Sequence, residues 1–135
     1  MNARELIEKH AAAFAAGDWD AVQEHWHPDA VLVSPSGQWP AREMRAIMAD
    51  LARDYTDVTI EVSDAFASPD GDRIAIEWTY ASTRRRDGAR SSADDAIIVD
   101  LRDGLIVRWR EYFDLSTSVE FGEVPPAADK RLAAG

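Results

Sequence analysis

Several side chains of this 135-residue sequence can move a proton, bind a metal or hold an anion. Asp114 follows Tyr112 by two positions, so on a strand the two share a face. A carboxyl in apolar surroundings has a raised pKa, which suits acid or base work near neutrality. The alternative is a carboxylate that caps the strand end or meets an arginine. His10 lies on the apolar stripe of the first segment, one turn before Phe14. A histidine facing a pocket titrates near neutrality and can act as a base; one satisfied inside the core does neither. His10 and Asp114 are therefore the candidate catalytic pair. Ser34 offers a hydroxyl that hydrogen-bonds and is no base at neutral pH.

Other groups carry less chemistry. His25 and His27 flank Trp26 and precede Asp29. Ligands two apart converge on a strand, but this stretch reads as a helix end, where they diverge, so no metal site is expected. Asp94 and Asp95 are neighbours and point to opposite faces of a strand, which forces one inward or toward a partner, at a cost unless hydrogen-bonded. Arg84, Arg85 and Arg86 read as a solvated hairpin turn. The aromatic load is large: Trp19, Trp26, Trp39, Trp78 and Trp109 with Tyr55, Tyr80 and Tyr112. Beyond the core, such residues can line a cavity for a planar or cyclic apolar molecule. Phe14, Trp19, Ser34, Trp39, Tyr55, Trp78, Tyr80 and Tyr112 are the expected binding residues, with Trp39 closing over the cavity from a loop.

The elements that would position these groups follow from periodicity. Residues 2–16 read as a helix stopped by Gly17, with Leu6, His10, Ala13 and Phe14 on one side. Asp18 caps a second short helix that Pro28 ends. Val31-Leu32-Val33 is a short strand halted at Ser34-Pro35-Ser36-Gly37. A third helix runs from about Arg42 to Tyr55, its stripe made by Met44, Ile47, Met48, Leu51 and Tyr55. From Asp57 the period becomes two, and strands follow over Val58–Ser63, Ile74–Ala81, residues 91–101 and about Leu105–Asp114. Asp103-Gly104 is a hairpin turn. The last strand carries Leu105, Val107, Trp109 and Phe113 on one face and Ile106, Tyr112 and Asp114 on the other. Apolarity on both faces calls for cover on both, and a second copy of the chain supplies it, predicting a homodimer through the outer sheet face.

Composition sets limits. The length fits one domain. The charge balance, 15 Lys+Arg against 25 Asp+Glu for a net −10, argues against nucleic acid and anionic membrane surfaces. Zero cysteines exclude disulfides and thiolate chemistry. No segment reads as a membrane span or signal peptide, so the expected location is cytoplasmic.

Helices followed by antiparallel strands give the α+β class. At this point the sequence resembles the nuclear transport factor 2-like superfamily, in particular its SnoaL-like branch of polyketide cyclases, limonene epoxide hydrolases and ketosteroid isomerases. The resemblance rests on Phe14-Ala15-Ala16-Gly17-Asp18-Trp19, Pro28-Asp29-Ala30-Val31, Ser34-Pro35-Ser36-Gly37 and above all Asp103 through Asp114. It implies a cone-shaped, strongly curved sheet wrapped around N-terminal helices with an internal pocket, over residues 1–118, with 119–135 as a tail. It also implies a homodimer and an acid or base at Asp114. His10 matches the position of the isomerases' oxyanion-stabilising Tyr. The epoxide hydrolases' Arg and Asp fall on Trp78 and Tyr80, and the isomerases' general base falls on Ser34. Their second carboxyl falls near Ile97. Neither mechanism transfers to these residues. The expected function is a cofactor-independent isomerase, cyclase, lyase or hydratase acting on a small apolar or cyclic metabolite. The alternatives are a noncatalytic binder of such a molecule and a dimerising scaffold. Two proton-transfer groups converging in one cavity would favour the enzyme.

Overall fold

The computed structural model describes residues 2–113; Asp114 and the expected tail lie outside the described residues. Helix α1 (Ala3–Ala15) begins at a reciprocal cap: the Asn2 side chain accepts from the Glu5 N–H, and the Glu5 carboxylate accepts from the Asn2 N–H. It ends where Gly17 takes a left-handed φ of +70° and donates its N–H to the Phe14 carbonyl. Asp18 caps α2 (Trp19–Glu24) by accepting from the Ala21 N–H. Ile7, His10 and Ala11 of α1 and Val22 of α2 are buried, fixing which sides of these helices meet the sheet.

Six strands follow or interleave: β1 (Trp26–Ser34), β2 (Gly37–Pro40), β3 (Tyr55–Ala67), β4 (Arg73–Arg84), β5 (Arg90–Arg102) and β6 (Leu105–Tyr112). Between β2 and β3 lie a 3-10 turn (Ala41–Glu43) and α3 (Met44–Asp54). The sheet order is β2-β1-β6-β5-β4-β3, with β1 parallel to β6 and every other pair antiparallel. Its inward face buries Ile74, Ile76, Ile97, Val99 and Ile106 almost completely, with Trp78 and Trp109 beside them. Register shifts in β3 after Thr56 and Val62, and between β5 and β6 at Asp100/Leu101, bend the strands so that the sheet curves over the helices. This is the mixed α+β architecture the sequence led us to expect.

Three local readings change. The stretch expected as a helix end at Trp26–Pro28 is the start of β1. Trp26 pairs with Ile106, and Pro28, which has no N–H to give, sits in the irregular interval before pairing resumes at Val31. The loop before α3 contains β2, whose pairing with β1 sets Trp39 opposite Leu32. Most consequential is β6. Leu101 pairs with Ile106 and Asp100 with Arg108, so Val107 is an extra, bulged residue that shifts the phase of the strand. Ile106 and Trp109 are therefore both buried in one core. Much of the apolarity that suggests two buried faces belongs to a single face, interrupted by a bulge.

Candidate functional site

The inward face of the sheet does not meet the helices everywhere. Beneath α3 it leaves a cavity of about 420 Å³. Met44, Ile47, Met48 and Leu51 on the apolar stripe of α3 form one wall, and Tyr55 continues it at the start of β3. His10 and Phe14 of α1 form a second wall. Trp78, Tyr80 and Ser82 come from alternate positions of β4, Asp95 from β5, and Trp109 and Glu111 from β6. Trp26, Leu32 and Ser34 of β1, Trp39 of β2 and Phe113 after β6 also line it.

The polar end of the cavity is built by two carboxyls. Asp95 is 6% exposed, and its Oδ2 accepts a 2.8 Å hydrogen bond from the Trp78 indole N–H on the neighbouring strand. Glu111 Oε1 accepts at 2.9 Å from the indole N–H of Trp109, two residues earlier on the same strand. The two carboxyls lie within hydrogen-bonding reach of each other, a contact that is favourable when one of them holds a proton. Burial, then the Asp95 charge, push Glu111 up to about 8, against a partial lowering by the Trp109 N–H. Burial raises Asp95 as well, while the Trp78 N–H and the Glu111 hydrogen bond pull it back. The consistent arrangement at neutral pH is a Glu111 O–H donating to an ionised Asp95, one proton and one negative charge for the pair.

His10 forms another polar group in the wall. It is 2% exposed, and its Nδ1 lies 3.0 Å from Nδ1 of His25, so one ring donates and the other accepts. Burial first, and the nearby His25 second, lower His10 to about 3, so it is a neutral imidazole. Its ring centroid lies 5.2 Å from that of Trp109. Tyr80 is a phenol held protonated, pushed up to about 12 by burial and the neighbouring Glu111 and Asp95 charges.

Of the residues expected to bind a ligand, Phe14, Ser34, Trp39, Tyr55, Trp78 and Tyr80 line the cavity. Two do not. Tyr112 is 53% exposed, because Trp109 and Glu111 face inward and strand alternation turns Tyr112 outward. Trp19 packs edge-on against Phe14, ring centroids 5.5 Å apart, and borders a neighbouring hollow instead. His10 lies in the wall, and its hydrogen-bond partner among the described residues is His25. Asp114 lies outside the described residues. The inward member of the adjacent acidic pair is Asp95, while Asp94 accepts from the Thr79 hydroxyl on the exposed side. Sequence reading missed Glu111, although parity with Trp109 was enough to place it. Among the described residues no group of three metal-ligating side chains converges.

Solved structures share this fold. A candidate polyketide cyclase from Pseudomonas putida KT2440 superposes with a TM-score of 0.77 at 24% identity, over 89% of this chain and 97% of its own. A hypothetical protein of ketosteroid isomerase-like fold from Catenulispora acidiphila, solved with trimethylamine, gives 0.78 at 18% identity, over 93% and 97%. A limonene epoxide hydrolase-like epoxide hydrolase from M. tuberculosis gives 0.72 at 19% identity, over 85% and 84%. Among curated protein sequences none matches this chain. The family model described as a SnoaL-like domain matches residues 7–109, and by that match this chain belongs to the SnoaL-like domain family.

Proposed function

We propose that the cavity is a proton-transfer site, in which Asp95 and Glu111 act together on a small, largely apolar or cyclic molecule without a cofactor. The observation that carries this reading is the approach of two carboxyls, each held by an indole N–H, to within reach of each other in the wall of an aromatic cavity. A pair holding one proton can do both halves of a tautomerisation. The ionised carboxylate removes a proton from carbon next to a carbonyl while the protonated carboxyl donates to the carbonyl oxygen, giving an enol. Return of the proton from Asp95 to a different carbon, with the enol O–H proton going back to Glu111, completes an isomerisation, and the pair ends with the one proton it began with. Tyr80 and Ser34 supply hydroxyls that orient the substrate, and His10, neutral, adds a hydrogen bond rather than a strong base. The Trp78 and Trp109 N–H groups hold the two carboxyls in place.

Cyclic ketones incubated with the protein in heavy water test this directly. Catalysed deuterium uptake beside the carbonyl is expected, lost in Glu111→Gln and in Asp95→Asn. Uptake no faster than in buffer, or unchanged in both variants, contradicts it. Asp114→Asn belongs in the same series, since a loss confined to that variant would move the chemistry from Glu111 to the end of the motif.

The homodimer also belongs to the proposal. Phe66 pairs with Ala75, Ala75 with Ile98, Ile98 with Arg110 and Arg110 with Val33, one row across the outer face of the sheet. Phe66 is 59% exposed, and Tyr112 stands open nearby on the same side. A sheet face that carries Phe66, Ala75, Ile98 and Val33 around a single Arg110 suits a second copy of the same face.

A further inference from the structure

The wall of the cavity has an unbalanced charge. No lysine or arginine lines it among the described residues, and its histidine is neutral. The arginines on the adjoining strand are turned away; Arg110, for example, lies 3.6 Å from Asp100. The two indole N–H groups satisfy two carboxyl oxygens but bring no charge. The carboxyl pair therefore keeps one negative charge inside apolar walls, and no lysine or arginine among the described residues meets it there.

We propose that the molecule this cavity takes carries one positive charge on nitrogen, as a protonated amine within an otherwise apolar ring system. The proposal rests on the proton-transfer reading of the Asp95–Glu111 pair and names the substrate class for it. A lone charge in a low-dielectric site is costly until an opposite charge joins it, so a cation gains where a neutral molecule does not. An anion, such as a carboxylate or a phosphate-bearing carrier, would add a like charge and is excluded. The aromatic side chains at the wall, Phe14, Tyr55 and Tyr80 among them, offer electron-rich rings to the same cation. The net charge of −10 raises the local concentration of cations around the whole molecule. An amino ketone joins such a cation to the carbonyl on which the proposed proton transfer acts.

Calorimetric titration of the full chain near pH 7 tests this with two matched pairs of probes. N-methyl-4-piperidone, cationic at that pH, is set against neutral 4-methylcyclohexanone, and benzyltrimethylammonium against neopentylbenzene. The cation of each pair is expected to bind at least about tenfold more tightly. The preference should vanish in the isosteric double variant Asp95→Asn/Glu111→Gln, with circular dichroism confirming its fold. Equal or weaker binding of the cations, including no detectable binding of any probe at millimolar concentration, overturns the proposal. Deuterium uptake by the two ketones, read in the same samples, separates the layers. Exchange of the neutral ketone without cation preference removes the charge requirement and leaves proton transfer standing. Cation preference without exchange retains the charge requirement and removes proton transfer.

Discussion

Asp95 and Glu111 are diagonal neighbours on the inward face of the sheet: Glu111 pairs with Ile97 across the β5–β6 ladder, and Asp95 stands two residues before Ile97 on the same face. That diagonal is long for two short side chains, but an aspartate and a glutamate together span it. Each is anchored by a different indole, so neither can turn to solvent without breaking a buried hydrogen bond. Replacing Trp109 by Phe removes the donor that stabilises ionised Glu111. The glutamate should then hold its proton to higher pH than the wild type, and the fold should lose about 1–3 kcal/mol, measured by urea unfolding. A Glu111 titration that stays put or moves down would show that the indole does not tune it.

Stability should depend on pH from two sides. Glu111 holds its proton up to about 8 when folded against an ordinary 4.5, so its contribution is full below 4.5 and declines as pH rises toward 8. His10 is lowered to about 3 against an ordinary 6.5, so its contribution is full above 6.5 and is lost as pH falls toward 3. The two trends oppose each other between about 4.5 and 6.5, which predicts a broad maximum there in denaturation midpoints. Glu111→Gln should flatten the alkaline side, and His10→Gln the acid side.

The His10–His25 contact gives a third expectation. With Nδ1 facing Nδ1, removal of His25 leaves a buried imidazole nitrogen without its partner. His25→Ala should cost about 1–3 kcal/mol, more than an exposed helix-end substitution. His25→Phe, which keeps ring packing but not the hydrogen bond, should cost a similar amount. Full stability in both variants would show that the contact contributes nothing.

For assembly, sedimentation at micromolar concentration should give about twice the mass of one chain. Ile98→Glu, on the outer row, should halve it while leaving the fold intact. A monomeric wild type would refute the outer-face dimer.

What could be read in the sequence was what depends on local period. The stripe of Met44, Ile47, Met48 and Leu51 was legible because a 3.6-residue repeat faces one way, and all four line the cavity; Tyr55, read as the stripe's last member, lines it as the first residue of β3. The adjacent Asp94 and Asp95 announced that one acid must face inward, and the structure selects Asp95. Where pairing partners decide, the sequence was silent: β2 is four residues long, and Trp26 joins a strand because Ile106 lies beside it. The bulge at Val107 hid the phase of β6 and made one interrupted face look like two. Attention then fell on the terminal Asp114, although Glu111, between inward Trp109 and Phe113, had the parity of the cavity wall.

The proton shared between Asp95 and Glu111 is best observed by infrared spectroscopy of the folded protein across a pH series, comparing wild type with Glu111→Gln. A protonated-carboxyl stretch should be present at neutral pH, fade as pH passes about 8, and be missing in the variant. A wild-type spectrum with only ionised carboxylates at neutral pH, or a band that survives in Glu111→Gln, would contradict the shared proton and the chemistry built on it.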